Sequence, residues 1–235
     1  MSLNQPKSRA AAVVSISGGM DSCVLTAMAA RDARDRGGAE ALAALHVNYG
    51  QRTEKRELAA YAAVCDFYRI DRRLVVDLPF FRQIGASSLT DPSIPVPDGA
   101  AAGQGIPTTY VPFRNGVILS VAAAWAEALG AQWIYLGAVQ TDRPGYPDCR
   151  REFLESMSAS INLGTRPETH LSLRIPLVGL DKSDIVRTGM QLGAPFHLTW
   201  SCYRRESLAC GRCASCRLRL KAFADAGERD PVSYE

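Results

Sequence analysis

The chain has 235 residues, 47% of them hydrophobic and 22% charged, proportions that fit one soluble globular unit and exclude disorder or a disulfide-stapled miniprotein. Its formal net charge of +3, from 27 Lys and Arg against 24 Asp and Glu, is too small to call for a nucleic-acid or membrane-surface partner. The most apolar stretch, residues 117–139, is broken by Ser120, Glu127, Gly130 and Gln132, so no membrane span is expected; residues 1–9 lack the apolar core of an export signal, which makes the cytoplasm the expected compartment.

Taken in order, a flexible segment (1–10) leads into a short apolar strand at 11–16 and a helix at 21–36. Strands at 41–47, 73–76, 133–138 and 171–176 then alternate with helices at 53–68, 115–129, 151–163 and 182–192. That alternation predicts an α/β fold: an open, mostly parallel five-stranded sheet with helices on both faces, spanning 11–195. Residues 85–112 hold prolines at 92, 95, 97 and 107 and a Gly/Ala run, and read as a long loop, a lid over the site. From 196 the composition shifts to Cys, Arg and short polar steps, marking a small metal-bound module (196–235) with a helix at 217–226.

Directly after the first strand stands Ser17-Gly18-Gly19-Met20-Asp21-Ser22. Two glycines at a strand-to-helix turn expose consecutive backbone N–H groups to an anion, the geometry of a phosphate cradle. The competing reading is a plain helix start capped by Ser17, Asp21 or Ser22. Absence of a Gly-Lys-Ser/Thr step argues against a loop that grips the β and γ phosphates. Near the other end, Cys202, Cys210, Cys213 and Cys216 follow a C-x7-C-x2-C-x2-C spacing, which suits closed, tetrahedral, structural Zn(II) better than redox exchange. Cys23 and Cys65 read as packing residues, and Cys149 as packing or catalytic; His46, His170 and His197 show no partner spacing and read as structural.

The hexapeptide resembles the SGGxDS signature of the PP-loop ATP pyrophosphatase superfamily, whose members cleave ATP between its α and β phosphates. Three further stretches narrow the likeness: His46-Val47-Asn48-Tyr49-Gly50-Gln51-Arg52, Tyr110-Val111-Pro112-Phe113-Arg114-Asn115, and Gly145-Tyr146-Pro147-Asp148-Cys149-Arg150. With Thr199-Trp200-Ser201-Cys202-Tyr203 and the cysteine block, they make the chain similar to the 7-cyano-7-deazaguanine synthase (QueC) family of queuosine precursor biosynthesis. The resemblance runs from about residue 13 to 234; Ala214 and Ser215 depart from its Asp-Ser, leaving the sulfurs untouched.

Membership implies that 7-carboxy-7-deazaguanine, ammonia and ATP become 7-cyano-7-deazaguanine through adenylated carboxylate and amide intermediates, in a homodimer. On that footing Ile16, Ser17, Gly18, Gly19, Met20, Asp21 and Ser22 are expected to cradle ATP, with Asp21 a candidate Mg(II) ligand. Lys182, opening a helix, is the candidate pyrophosphate clamp, against a plain solvated lysine. Arg114 and Asn115 are placed to meet phosphate or the substrate carboxylate, against a solvated helix start. Tyr146 and Asp148 are candidate substrate contacts; Asp148 either accepts from a guanine-like edge or caps the helix that follows it. Gln51 and Arg52, after the second strand, are expected near adenine, ribose or substrate.

Overall fold

The computed structural model describes residues 10–99, 105–140 and 146–235. Residues 1–9 of the leading segment (1–10), part of the Gly/Ala run and Gly145 of the third stretch lie outside the described residues, and Ala10 is buried. Five strands appear: β1 (Ala12–Ser15), β2 (Leu42–Asn48), β3 (Arg72–Asp77), β4 (Trp133–Tyr135) and β5 (Ser172–Arg174). They pair in the order β3-β2-β1-β4-β5, every pairing parallel.

Residue alternation sends each central strand to two cores. In β1, Ala12 and Val14 face one side and Val13 the other; in β2, Leu42 and Ala44 oppose Ala43, Leu45 and Val47. Both faces are apolar because both are covered, as a parallel sheet requires. On one side lie α1 (Met20–Asp32), α2 (Glu54–Phe67), α6 (Lys182–Gln191) and α7 (Ala214–Asp225); on the other, α4 (Arg114–Leu129) and α5 (Arg151–Gly164). The predicted helices are present with ends shifted by a few residues, except that the first breaks after Asp32 into a 3-10 turn (Arg34–Arg36) and the last starts earlier than expected.

A short helix, α3 (Phe80–Ile84), was not anticipated, since one turn carries too few residues for a periodic signal. The following loop is irregular, as its prolines dictate, yet it is fastened down. Ser87, Ser88, Leu89 and Thr90 are buried, Ser88 N–H donates to Thr108 O at 2.7 Å, and Gly99 N–H donates to Arg212 O at 2.9 Å. Arg204 bonds both the Asp98 carboxylate (2.6 Å) and the Val96 carbonyl. In its described parts the segment is a strap to the C-terminal module, where a free lid was expected.

Within that module one buried ion pair gathers the chain. Arg219 of α7 meets Asp230 through Nε–Oδ2 at 2.8 Å and Nη2–Oδ1 at 3.0 Å, with side chains 2% and 3% exposed. Its remaining donors reach Thr199 Oγ1 (2.7 Å), Ser201 Oγ (3.2 Å) and the Phe196 carbonyl (3.2 Å), so one guanidinium holds three segments together. Breaking a buried pair by removing one partner strands the other charge in a dry site. Arg219→Ala is therefore expected to cost about 3–5 kcal/mol, read as a lowered urea midpoint with unchanged slope.

Candidate active site

The chain runs outward from β1 through β2 to β3 and returns to the other side of β1 as β4. Connections leave β1 and β4 in opposite directions, opening a crevice at their carboxyl ends, where ligands of open α/β sheets bind. A cavity of about 220 Å³ fills it, bounded by Ser17 and Gly19 after β1, Asp21 and Ser22 of α1, and Gly137 and Val139 after β4.

Gly18 has φ +83°, and a Cβ there would stand 2.4 Å from the Glu57 carbonyl oxygen, so only glycine fits. Ser17 Oγ accepts the Gly19 N–H at 3.2 Å, and Ser22 Oγ donates to the Gly19 carbonyl at 3.0 Å. Helix α1 carries no side-chain cap, so these serines shape the turn rather than cap the helix. The positive end of the helix and its first-turn N–H groups are thereby left to an anion in the cavity.

Across the cradle, Lys182 of α6 donates to Asp21 Oδ2 at 2.6 Å, and both residues line the cavity. Lys182 is only 14% exposed, not a solvated surface lysine. Asp21 Oδ1 is buried and has no hydrogen-bond partner, leaving one carboxylate oxygen for a hard cation.

The opposite wall is built by α4 and the loop after β2. Arg114 and Asn115 line it, and Arg114 Nη1 donates to Tyr49 Oη at 3.0 Å, so the guanidinium is aimed inward and not solvated. Tyr146 also lines it, its hydroxyl 2.6 Å from Thr109 Oγ1. Asp148 stands behind this wall. Its Oδ2 accepts the Asn115 N–H at 2.8 Å and so caps α4, while its Oδ1 is buried with no hydrogen-bond partner among the described residues; burial raises its pKa above the ordinary carboxylate value. Asn115 Nδ2 donates to the Asp148 carbonyl and to Cys149 Sγ, each at 3.3 Å, and Cys149 borders the cavity.

Gln51 and Arg52 fall outside the lining. Gln51 Oε1 accepts the Tyr49 N–H (2.9 Å) while its Nε2 donates to Glu57 Oε2 (3.2 Å), which makes it a brace. Arg52 spends its guanidinium on the carbonyls of Ser88, Asp91 and Ile94 in the strap, at 2.7–3.0 Å, and is turned away from the cavity. His46, His170 and His197 do not border the cavity; His46 is buried beneath the cradle with Nδ1 2.8 Å from the Ile16 carbonyl oxygen. Burial pushes the Cys23 thiol up to about 12 and Cys65 to about 11, fitting packing roles.

Two of these lining residues, Glu57 and Arg219, stand in no quoted stretch, and four more, Tyr49, Trp200, Ser201 and Tyr203, stand in quoted stretches that assigned them no role. Glu57 reads in sequence as an ordinary first-turn helix acid, and only the docking of α2 against the Gly18 turn turns it inward. Burial raises its pKa to about 7, against the opposing effects of the Thr53 hydroxyl (2.7 Å), the Arg114 charge and the Gln51 amide.

Beside this cavity the sulfurs of Cys202, Cys210, Cys213 and Cys216, all buried, lie within 4.8 Å of one another, Cys210 and Cys216 at 4.0 Å. A tetrahedral ion with metal–sulfur bonds of about 2.3 Å needs sulfurs about 3.8 Å apart, so the donor set fits a metal. Backbone N–H groups of Arg204 and Cys213 point at Cys202 and Cys210 sulfurs at 3.4 and 3.3 Å, as thiolate ligands favour. The module touches the cradle directly, because Trp200 N–H donates to the Gly18 carbonyl at 2.9 Å, and Thr53 Oγ1 lies 3.3 Å from the Cys202 carbonyl oxygen.

An open parallel sheet with an uncapped glycine turn and an acid–lysine pair at its switch point defines a doubly wound α/β protein with an anion cradle at the carboxyl edge of its sheet. The solved U34-tRNA thiolase NcsA from Methanococcus maripaludis, which carries a 4Fe–4S cluster, shares the fold with a TM-score of 0.50 and 14% identity over 94% of this chain and 66% of that one. A family model described as "Queuosine biosynthesis protein QueC" matches residues 11–227, and the chain belongs to that family. Among curated relatives, 7-cyano-7-deazaguanine synthase of Chlorobium phaeobacteroides is 53% identical over 95% of this chain and 96% of its own length. That of Nautilia profundicola is 51% identical over 95% and 98%.

Because the cysteine module holds Gly18 through Trp200, stripping its metal with a chelator is expected to loosen both. Hydrogen exchange in peptides covering 17–22 and 196–216 should rise together, and ATP affinity should fall about tenfold or more, the scale on which metal-site support acts. Faster exchange confined to 196–216, with ATP affinity unchanged, would contradict the coupling.

Proposed function

We propose that this chain is an ATP-dependent synthase that converts 7-carboxy-7-deazaguanine and ammonia to 7-cyano-7-deazaguanine, activating first the carboxylate and then the amide as adenylates. Family membership supports the reaction. The observation that carries the chemistry is the uncapped cradle faced by the Lys182–Asp21 pair, with a buried Asp21 oxygen to spare.

A carboxylate is a poor electrophile until its oxygen can leave, and bonding it to the α-phosphate of ATP makes it do so as AMP. On this reading the first-turn N–H groups of α1 bind phosphate oxygens and Gly18 and Gly19 let backbone approach them. Lys182 Nζ, already inside the cavity, stabilises charge growing on departing pyrophosphate. Mg(II), with Asp21 among its ligands, supplies charge neutralisation on the triphosphate when bound. Arg114 orients the substrate carboxylate or the α-phosphate from the facing wall, and Asn115 and Tyr146 complete the substrate end. Asp148 acts behind them by fixing the start of α4.

Zinc is the proposed resident of the four cysteines, a closed structural ion that leaves no open ligand position. The proposed organisation is an ATP-handling part (11–195) and a zinc module (196–235) that contributes Trp200, Ser201 and Tyr203 to the same site. Free ammonia as nucleophile, a homodimeric assembly, no nucleic-acid partner and a cytoplasmic location belong to the same reading. No helix among the described residues is long and apolar enough to cross a membrane.

Purified protein supplied with ATP, Mg(II), ammonium and the carboxylated deazaguanine should yield the nitrile and AMP, followed by mass spectrometry. ATP that stays intact with metal-loaded protein would refute the assignment. Lys182→Ala should lower substrate-dependent pyrophosphate release about 10²- to 10³-fold while the fold, judged by circular dichroism, is retained.

A further inference from the structure

We propose that Glu57 is the proton acceptor for the incoming ammonia, a role that rests on the adenylation reading above and deepens it. The step runs as follows: nitrogen bonds to the adenylated carbonyl carbon, and the carbon–oxygen bond to AMP breaks with its electron pair leaving on the phosphate oxygen. One of the three N–H protons passes to the Glu57 carboxylate. Amide, AMP and neutral Glu57 result, and the carboxyl returns its proton to solvent before the next turnover.

Position argues for it first. The Glu57 carbonyl is packed directly under the Gly18 turn of the cradle, and Glu57 is among the residues that border the same cavity, as are Tyr49 and Arg114, whose charge acts on its carboxylate. An adenylate whose phosphate rests in that cradle presents its acyl carbon within the same small space.

Elimination argues second. Asp21 and Glu57 are the carboxylates bordering the cavity among the described residues, and Asp21 is paired with Lys182 at 2.6 Å. The histidines do not border the cavity, and burial holds the Tyr49 phenol well above its ordinary pKa. Asp148 is buried behind the wall, one oxygen accepting from the Asn115 backbone.

The carboxylate is also held in place. Thr53 Oγ1 donates to Oε1 at 2.7 Å and Gln51 Nε2 to Oε2 at 3.2 Å, each oxygen keeping a further acceptor site. Arg114 and Glu54 face it with opposite effects, and the Tyr49 hydroxyl, which accepts from Arg114, is a further titratable group near it. With burial outweighing its donors, the group titrates at about 7, where a base can both take and return a proton. Its anionic form grows as pH rises through that value, so amide formation should rise over the same range.

The test uses the full metal-loaded chain in single turnover with ATP, Mg(II) and the carboxylated deazaguanine. With the concentration of free ammonia, not of total ammonium, held constant across the pH series, Glu57→Gln should keep substrate-dependent pyrophosphate release without ammonium, lose about 10²- to 10⁴-fold in ammonia-dependent amide formation, and lose the rise through pH 7. Amide formation at the wild-type rate would overturn the proposal. So would a large rise in substrate KM together with lost pyrophosphate release, which would make Glu57 a recognition residue. Should Glu57→Gln fail to fold, Thr53→Val decides: loss of the donor to Oε1 should move the pH rise upward, and an unmoved rise refutes the role. Wild-type protein that releases no pyrophosphate with this acid refutes the adenylation reading itself, a separate outcome.

Discussion

The structure depends on a close approach: the Gly18 turn, where three parts of the chain meet with no room for a side chain. From below, the Glu57 carbonyl lies where a Cβ would sit; from the side, Trp200 N–H bonds the Gly18 carbonyl; ahead, α1 begins without a side-chain cap. A left-handed residue in contact with backbone on one side is a conformation only glycine holds without strain. The cradle is thus a product of packing between β1, α2 and the cysteine module: Ser17 Oγ takes the Gly19 N–H, and the first turn of α1 beyond it begins without a side-chain cap.

Charge organises the remainder of the site. Lys182 with Asp21, Arg114 near Glu57, and Arg219 with Asp230 place cations and anions around a small cavity walled by apolar residues such as Val47, Leu136 and Val139. Isolated charges at such depth are costly, and each is offset by a partner or by hydrogen bonds. The pairings are not equivalent. Arg219 and Asp230 satisfy each other and hold the segments of the C-terminal module together, whereas Asp21 keeps an oxygen with no partner among the described residues and Glu57 a carboxyl that titrates near neutrality. Groups left incompletely satisfied inside a cavity are where chemistry can be done.

The strap and the cysteine module show how support reaches that cavity. Arg52, which stands in a conspicuous sequence stretch beside the site, spends its donors on loop carbonyls, and the loop in turn bonds Arg204 and Arg212 of the module. A stretch rich in proline and glycine thereby becomes a brace that joins the end of β2 to the metal-ligating region, and Gln51 links the same corner to Glu57.

Sequence by itself determined the alternating elements, the parallel sheet, the glycine turn after β1 and the cysteine quartet, because each rests on local spacing: strand period, helix period, turn chemistry, ligand intervals. It also pointed to Lys182, Asp21 and Arg114, whose places at element ends follow from where strands stop and helices begin. Tertiary structure alone decided which way side chains turn and which partners they meet. Glu57 and Arg219 entered the site through the docking of α2 and α7, and Tyr203 through the segment that follows Trp200, while Arg52 and Asp148, prominent in their stretches, meet the strap and the start of α4. Contacts between residues such as Lys182 and Asp21, 161 positions apart, are settled by the folding of the sheet and not by any local pattern.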